Sequence, residues 1–182
     1  MIYRFIMISN EEESFMREIQ IDSEATFYDF HKTILSSCGY DESQMTLFTM
    51  CENGWEMGQQ VTLEEMDTNS DEDSYIMAET RLSDLLEDEK QHLIYIFDPL
   101  AERCFFIELS EIITGKSLKA PKVTRSEGKV PPQTVDFDDL LASNPIVQTI
   151  SLDDEEDMFG DGVSYEDIDP EGFDISDADP YM

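Results

Sequence analysis

The sequence predicts an α+β domain: a single mixed or antiparallel sheet with one main helix packed across a face, followed by a disordered acidic tail. Three observations carry that expectation. Residues 26–40, TFYDFHKTILSSCGY, set Phe27, Phe30, Ile34, Leu35 and Cys38 at helical spacing on one side. Short β-branched and aromatic segments flank them at 2–8, 15–22, 44–51, 92–97 and 104–109. After Gly115 the apolar pattern fades, and residues 151–182 hold 13 acidic and no basic side chains.

Taken in order, IYRFIMI (2–8) ends at Ser9-Asn10 and reads as a strand. FMREIQID (15–22) puts Phe15, Arg17, Ile19 and Ile21 on one side and Met16, Glu18 and Gln20 on the other. The pair forms an antiparallel hairpin in which Arg17 interrupts the apolar face. Thr26 and Asp29 make a capping-box variant at the start of the helix, and Gly39 stands where a left-handed residue ends it.

QMTLFTMC (44–51) is apolar on both faces, as a central strand is, and Asn53-Gly54 turns the chain into a return strand over 55–63. Residues 64–75 are a polar, acidic loop. Thr80 caps a short helix at 82–86, and HLIYIF (92–97) and CFFIEL (104–109) follow, joined through Asp98-Pro99. The order ββα-ββ-α-ββ opens like a β-grasp roll, an analogy of fold alone. Residues 116–135 carry three Pro and five of the eleven basic residues and read as a linker between a domain at 1–115 and a tail at 136–182. That tail buries too little to offset its ordering entropy and is expected to be disordered in isolation.

Charge narrows the function. The chain has 43 Asp and Glu against 11 Lys and Arg, for a net charge of −32. Residues 1–116 carry 26 acidic and 7 basic side chains. Binding a nucleic-acid backbone needs cations to displace counterions, so direct DNA or RNA binding is disfavoured and a basic protein partner is favoured. Cys38, Cys51 and Cys104 are odd in number and lack paired spacing, which argues against a disulfide framework or zinc site and suggests a reducing cytoplasm. No stretch has the length of a signal sequence or membrane span.

Candidate chemistry is sparse. Asp67, Asn69, Asp71 and Asp73 have the alternate spacing of a calcium loop, but Glu72 holds the glycine position and Ala78 that of the bidentate Glu. This leaves at most a weak surface Ca²⁺ site. Gly54 and Gly58 do not fit a phosphate-binding loop. His31 is the one His on a patterned element and has no sequence-evident nucleophile or base beside it. No catalytic residue, cofactor site or metal ligand is assigned.

Residues 26–40, followed by TRLSDLLEDEKQHLIYIFD (80–98), resemble the plasmid ORF-three-like proteins, also known as insertion-element passenger proteins of TnpR-like type. The family's Leu-His pair and terminal Gly-Trp correspond to Phe30-His31 and Gly39-Tyr40. Its Leu-Ser-Asp-Leu-Leu turn is matched by Leu82 to Leu86, and its Tyr-x-Phe/Tyr-Asp strand by Tyr95, Phe97 and Asp98. The resemblance covers about residues 1–113. The family's His-rich segment is replaced by Gln44, Met45 and Thr46, and its Gly-Asp-x-Trp-x-His continuation by residues 99–103, so any site built on those groups is absent. No Arg-Val-Ser motif of a serine recombinase is present.

The expectation is a non-catalytic interaction module whose tail recruits a basic protein partner, itself associated with nucleic acid, through Phe159, Tyr165, Phe173 and Tyr181. One alternative is an enzyme with a site near His31, which requires a pocket where His31 meets a second polar group. The mobile-element resemblance implies another, a DNA-binding protein. Oligomeric state is not readable.

Overall fold

Alternation in the first 22 residues delivers the expected hairpin. β1 (Ile2–Ser9) and β2 (Met16–Asp22) pair antiparallel, with Phe5 opposite Ile19 and Met7 opposite Arg17. The structure, a computed structural model, describes residues 1–65 and 75–136. The chain divides into Met1–Thr134 and Val135–Met182, and the fold described is that of the first unit. The acidic loop at 66–74, with its calcium-like spacing, and the tail beyond Asp136 lie outside the described residues.

Helix α1 (Phe27–Cys38) begins and ends where its capping residues dictate. The Asp29 N–H donates to Thr26 Oγ1 at 3.2 Å, and the Thr26 N–H donates to the Asp29 carboxylate at 3.1 Å. At the far end Gly39 adopts φ 68°, and the Tyr40 N–H closes on the Leu35 carbonyl at 2.9 Å. Phe27, Phe30, His31, Ile34 and Leu35 are buried.

β3 (Leu47–Glu52) and β4 (Glu56–Thr62) form the second hairpin, and β5 (Tyr75–Ile76) runs parallel to β4. The short α2 (Leu82–Leu85) starts after Arg81, whose N–H meets Asp84 Oδ2 at 2.9 Å. Thr80, the expected cap, is instead buried, and its carbonyl accepts from the Phe27 N–H. β6 (His92–Asp98), β7 (Arg103–Ile113) and β8 (Lys122–Glu127) complete one mixed sheet in the order β5-β4-β3-β6-β7-β1-β2-β8.

The segment expected as a linker is therefore corrected in part. β8 pairs antiparallel with β2 as an edge strand, exposed along its whole length, so nothing apolar alternates in its sequence to announce it. Its hold is backbone hydrogen bonding, joined by Thr124 Oγ1 donating to Glu18 Oε1 at 2.7 Å and by Arg17 at the Glu127 carbonyl. Gly128 then turns the chain at φ 71°, so close to the β1–β2 connection that a Cβ there would lie 2.1 Å from the Ser14 carbonyl oxygen. Val130 packs against the core and Pro131 is buried, which places the boundary of the unit after Thr134 rather than at 115.

Both helices cover the same face of the sheet. Phe30 lies between Phe5 and Phe48, at ring separations of 4.5 and 5.4 Å, and Phe15 stacks on Phe105 at 4.9 Å. Leu82 and Leu86 join this cluster, and the Tyr3 hydroxyl donates to the Leu86 carbonyl at 2.6 Å. Each such side chain removed from water contributes about 1.5–3 kcal/mol.

Candidate functional site

His31 sits on the buried side of α1, 2% exposed. The Tyr95 hydroxyl lies 2.8 Å and the Thr46 hydroxyl 3.3 Å from its Nδ1. Both hydroxyls converge on the one ring nitrogen, so Nδ1 is hydrogen-bonded inside the core. Burial holds His31 below the ordinary imidazole range, and burial also pushes the Tyr95 phenol well up. The group is a neutral His locked between two neutral hydroxyls. His31 thus meets the second polar group that an enzymatic reading requires, but inside the core.

The cysteines are equally quiet. All three are free, and burial pushes the Cys38 thiol up to about 11 and raises Cys51 and Cys104 as well. A thiol must be lowered, not raised, to act as a nucleophile at neutral pH. Among the described residues no three His, Cys, Asp or Glu side chains gather as a metal site, and no helix is long and apolar enough to cross a membrane. An open cleft of about 340 Å³ lies between α1 and β8, lined by Asp29, Lys32, Thr33, Ser36, Pro121 and Val123. His31 does not line it.

Two buried arginines organise the described end of the chain. Arg17, which interrupts the apolar stripe of β2, is 4% exposed. It donates to the carbonyls of Ser37, Met16 and Glu127 and lies 4.6 Å from the centre of the Phe15 ring. It thereby ties the end of α1 to β2 and to the edge strand β8. Arg103, 8% exposed, makes two 2.9 Å bonds to the Glu11 carboxylate and donates to the carbonyls of Pro132 and Gln133. The Tyr40 hydroxyl donates to the Pro131 carbonyl, and the Gln133 side chain bonds the backbone of Asp41 in both directions. Residues 131–133 are held as a strap. A charged residue inside an apolar stripe is the one sequence signal of such a role, and at Arg17 it was visible.

The sheet face opposite the helices is the less ordinary surface. Register places Ile94, Phe106, Ile8 and Met16 side by side across β6, β7, β1 and β2. The parallel row on one side is Leu47, Ile96 and Cys104; on the other it includes His92, Glu108 and Ile6. Ile8 is 45%, Trp55 42% and Met57 59% exposed. Trp55 stacks on His92 at 4.1 Å and meets Phe106 edge-on at 5.1 Å. His92 is fixed by the Gly54 carbonyl at 2.8 Å and Glu108 at 3.2 Å. Glu108 is held below the usual carboxylate range by hydrogen bonds from Lys90 and then His92.

Among the described residues the arrangement shows no poised nucleophile. Phe159, Tyr165, Phe173 and Tyr181, the expected interaction residues, lie outside the described residues. No curated protein matches the chain. Among solved structures, a protein of unknown function, MM3350 from Methanosarcina mazei Go1, is similar in fold, with 18% identity, a TM-score of 0.54, and 72% of this chain and 71% of that one covered. A family model of plasmid pRiA4b ORF-3-like proteins matches residues 2–177, well past the 1–113 over which the motifs are recognisable. The strap and most of the acidic tail therefore fall within the family's own span, and the chain belongs to the plasmid pRiA4b ORF-3-like family.

Proposed function

We propose that this chain is a non-catalytic, cytoplasmic interaction module that binds a basic protein, with Phe159, Tyr165, Phe173 and Tyr181 as the anchors of its acidic tail. The observation that carries the reading is the distribution of charge: residues 151–182 have 13 carboxylates, no cation, and aromatic residues spaced among them. Such a segment offers long-range attraction to a cationic surface and side chains that dock once it arrives. The burial of His31 and the raised thiols support the non-catalytic part. Direct nucleic-acid binding is opposed by the same charge, so any link to nucleic acid runs through the partner.

The test compares wild type with a full-length variant in which the four aromatics are changed to Ser. Both are used to capture proteins from a cell extract at low and high salt. The expected result is a set of basic proteins, lost from the variant and weakened by salt. Identical partners for both chains, unchanged by salt, would end the proposal.

A further inference from the structure

We infer that the groove beneath the strap is a reader of proline motifs, filled in this chain by its own residues 129–133 and entered by a partner protein whose Lys-aliphatic-Pro-Pro-Gln segment displaces them. The inference goes beyond the proposed function and does not depend on the tail.

The strap reads Lys-Val-Pro-Pro-Gln, and each position meets a separate feature of the domain. Lys129 Nζ lies 3.7 Å from Glu12 Oε1. Val130 packs against the core and Pro131 is buried. Three successive carbonyls, those of Pro131, Pro132 and Gln133, accept from the Tyr40 hydroxyl, Arg103 Nη2 and Arg103 Nη1. The Asp41 N–H donates to Gln133 Oε1, and Gln133 Nε2 donates to the Asp41 carbonyl, both at 2.7 Å. The hydrogen bonds to the strap backbone thus fall on carbonyls, and proline presents a carbonyl with no N–H to satisfy. Its fixed φ also reduces the conformational entropy that docking removes.

The receiving side is organised by contacts of its own. The Glu11 carboxylate holds Arg103 Nε and Nη2 at 2.9 Å each, and the guanidinium carbon lies 4.9 Å from the centre of the Phe97 ring. Tyr40 is placed by its N–H on the Leu35 carbonyl and by ring separations of 5.4 Å from Phe97 and 6.1 Å from Phe105. Burial pushes the Tyr40 phenol well up, so it stays a neutral donor. A site fixed in advance loses little freedom when it binds. With the strap lifted, Tyr40 and Arg103 keep these supports and lack acceptors, a deficit that a second Pro-Pro-Gln segment removes.

The strap is separable from the sheet. Pro132 and Thr134 are exposed, the segment adds no strand to the sheet among the described residues, and β8 is fixed to β2 before the Gly128 turn. A segment tethered this closely presents itself at roughly millimolar effective concentration. An incoming motif therefore prevails when its carrier has a second hold on the chain or when the strap is weakened.

The test uses full-length protein in which Pro131→Gly, Pro132→Gly and Gln133→Ala together vacate the groove. It is titrated with a peptide of residues 128–134 and with an unrelated sequence built around Lys-Leu-Pro-Pro-Gln. Binding is read by calorimetry and by the amide resonances of Tyr40, Asp41 and Arg103. Both peptides should saturate the variant and move those resonances, Asp41 most, since its N–H takes up the Gln side chain. Peptides with Ala at both Pro positions, or at Gln, should bind about tenfold more weakly. Adding Tyr40→Phe, which removes one donor, should weaken binding about two- to tenfold. Wild type, its groove filled, should bind either peptide at least about tenfold more weakly than the opened variant. Should the triple variant fail to fold, Gln133→Ala alone, which loosens one end of the strap, should bind both peptides severalfold more tightly than wild type.

Peptides that bind no opened variant, Pro-free peptides that bind equally well, or wild type and opened chains that bind alike would each overturn the proposal. So would wild-type dimers held by exchanged straps, which would assign the groove to a second copy. On the opened chain, changing the four tail aromatics to Ser should leave these affinities as they are. A loss there would place the binding in the tail and overturn the groove, so the two readings fail separately.

Discussion

Met7 and Ile8 are neighbours of similar size in β1, and Phe105 and Phe106 are identical neighbours in β7, yet each pair is divided between two environments. Met7 and Phe105 face the helices and are wholly buried; Ile8 is 45% exposed and Phe106 only partly covered. On one side the rings of Phe5, Phe30 and Phe48 stack into a closed layer. On the other, similar side chains lie against water with Trp55 leaning across them. The lesson is that apolar character alone does not say which face of a strand is covered. The partner layer does, and α1 lies on one side only.

That contrast can be broken by measurement. Phe105→Ala should destabilise the domain by about 3–5 kcal/mol through a core cavity, whereas Phe106→Ala should cost about 1 kcal/mol. Urea unfolding of the two variants decides it, and comparable losses would mean that the open face is a core surface in solution. At the margin of the covered face, Gly128→Ala forces a Cβ against the Ser14 carbonyl in a left-handed backbone, at a cost of about 2–4 kcal/mol. Hydrogen exchange should show β8 losing protection first.

Arg103→Met tests the strap. The Glu11 carboxylate and the carbonyls of Pro132 and Gln133 lose their donor, for about 1–3 kcal/mol, and proteolysis near residues 131–134 should accelerate. The smallest effect concerns His31. Its pKa is lowered on folding, so the unfolded chain binds its proton more readily than the native one. Stability from this group is complete above the unfolded imidazole value of about 6.5 and declines as pH falls below it. His31→Phe should flatten that part of the stability profile, seen as denaturation midpoints that no longer drop between neutral and mildly acidic pH.

Some of this was legible in the residues. The capping box of Thr26 and Asp29, the helical stripe through Phe30 and Ile34, and Gly39 are local devices, acting within a turn or two of chain. So is the alternation of β1 and β2. β8 was not legible because an edge strand exposed along its length follows no burial pattern, and β5 is only two residues long. Arg17 was seen as an interruption, but Ser37 and Glu127, which make it a tie, are 20 and 110 residues away. His31 was singled out, yet Tyr95, which occupies its Nδ1, is 64 residues distant.

What the sequence determined by itself was therefore the set of short-range decisions: the main helix, the hairpins, the acidic surplus and its uneven placement. Periodicity and capping act over a few residues and need no partner. Only the tertiary structure decided which face of the sheet α1 would cover, that residues 122–133 join the domain, and that His31 faces inward. Those outcomes depend on contacts between segments far apart in the chain, where packing and hydrogen-bond satisfaction choose among arrangements that local pattern leaves equal.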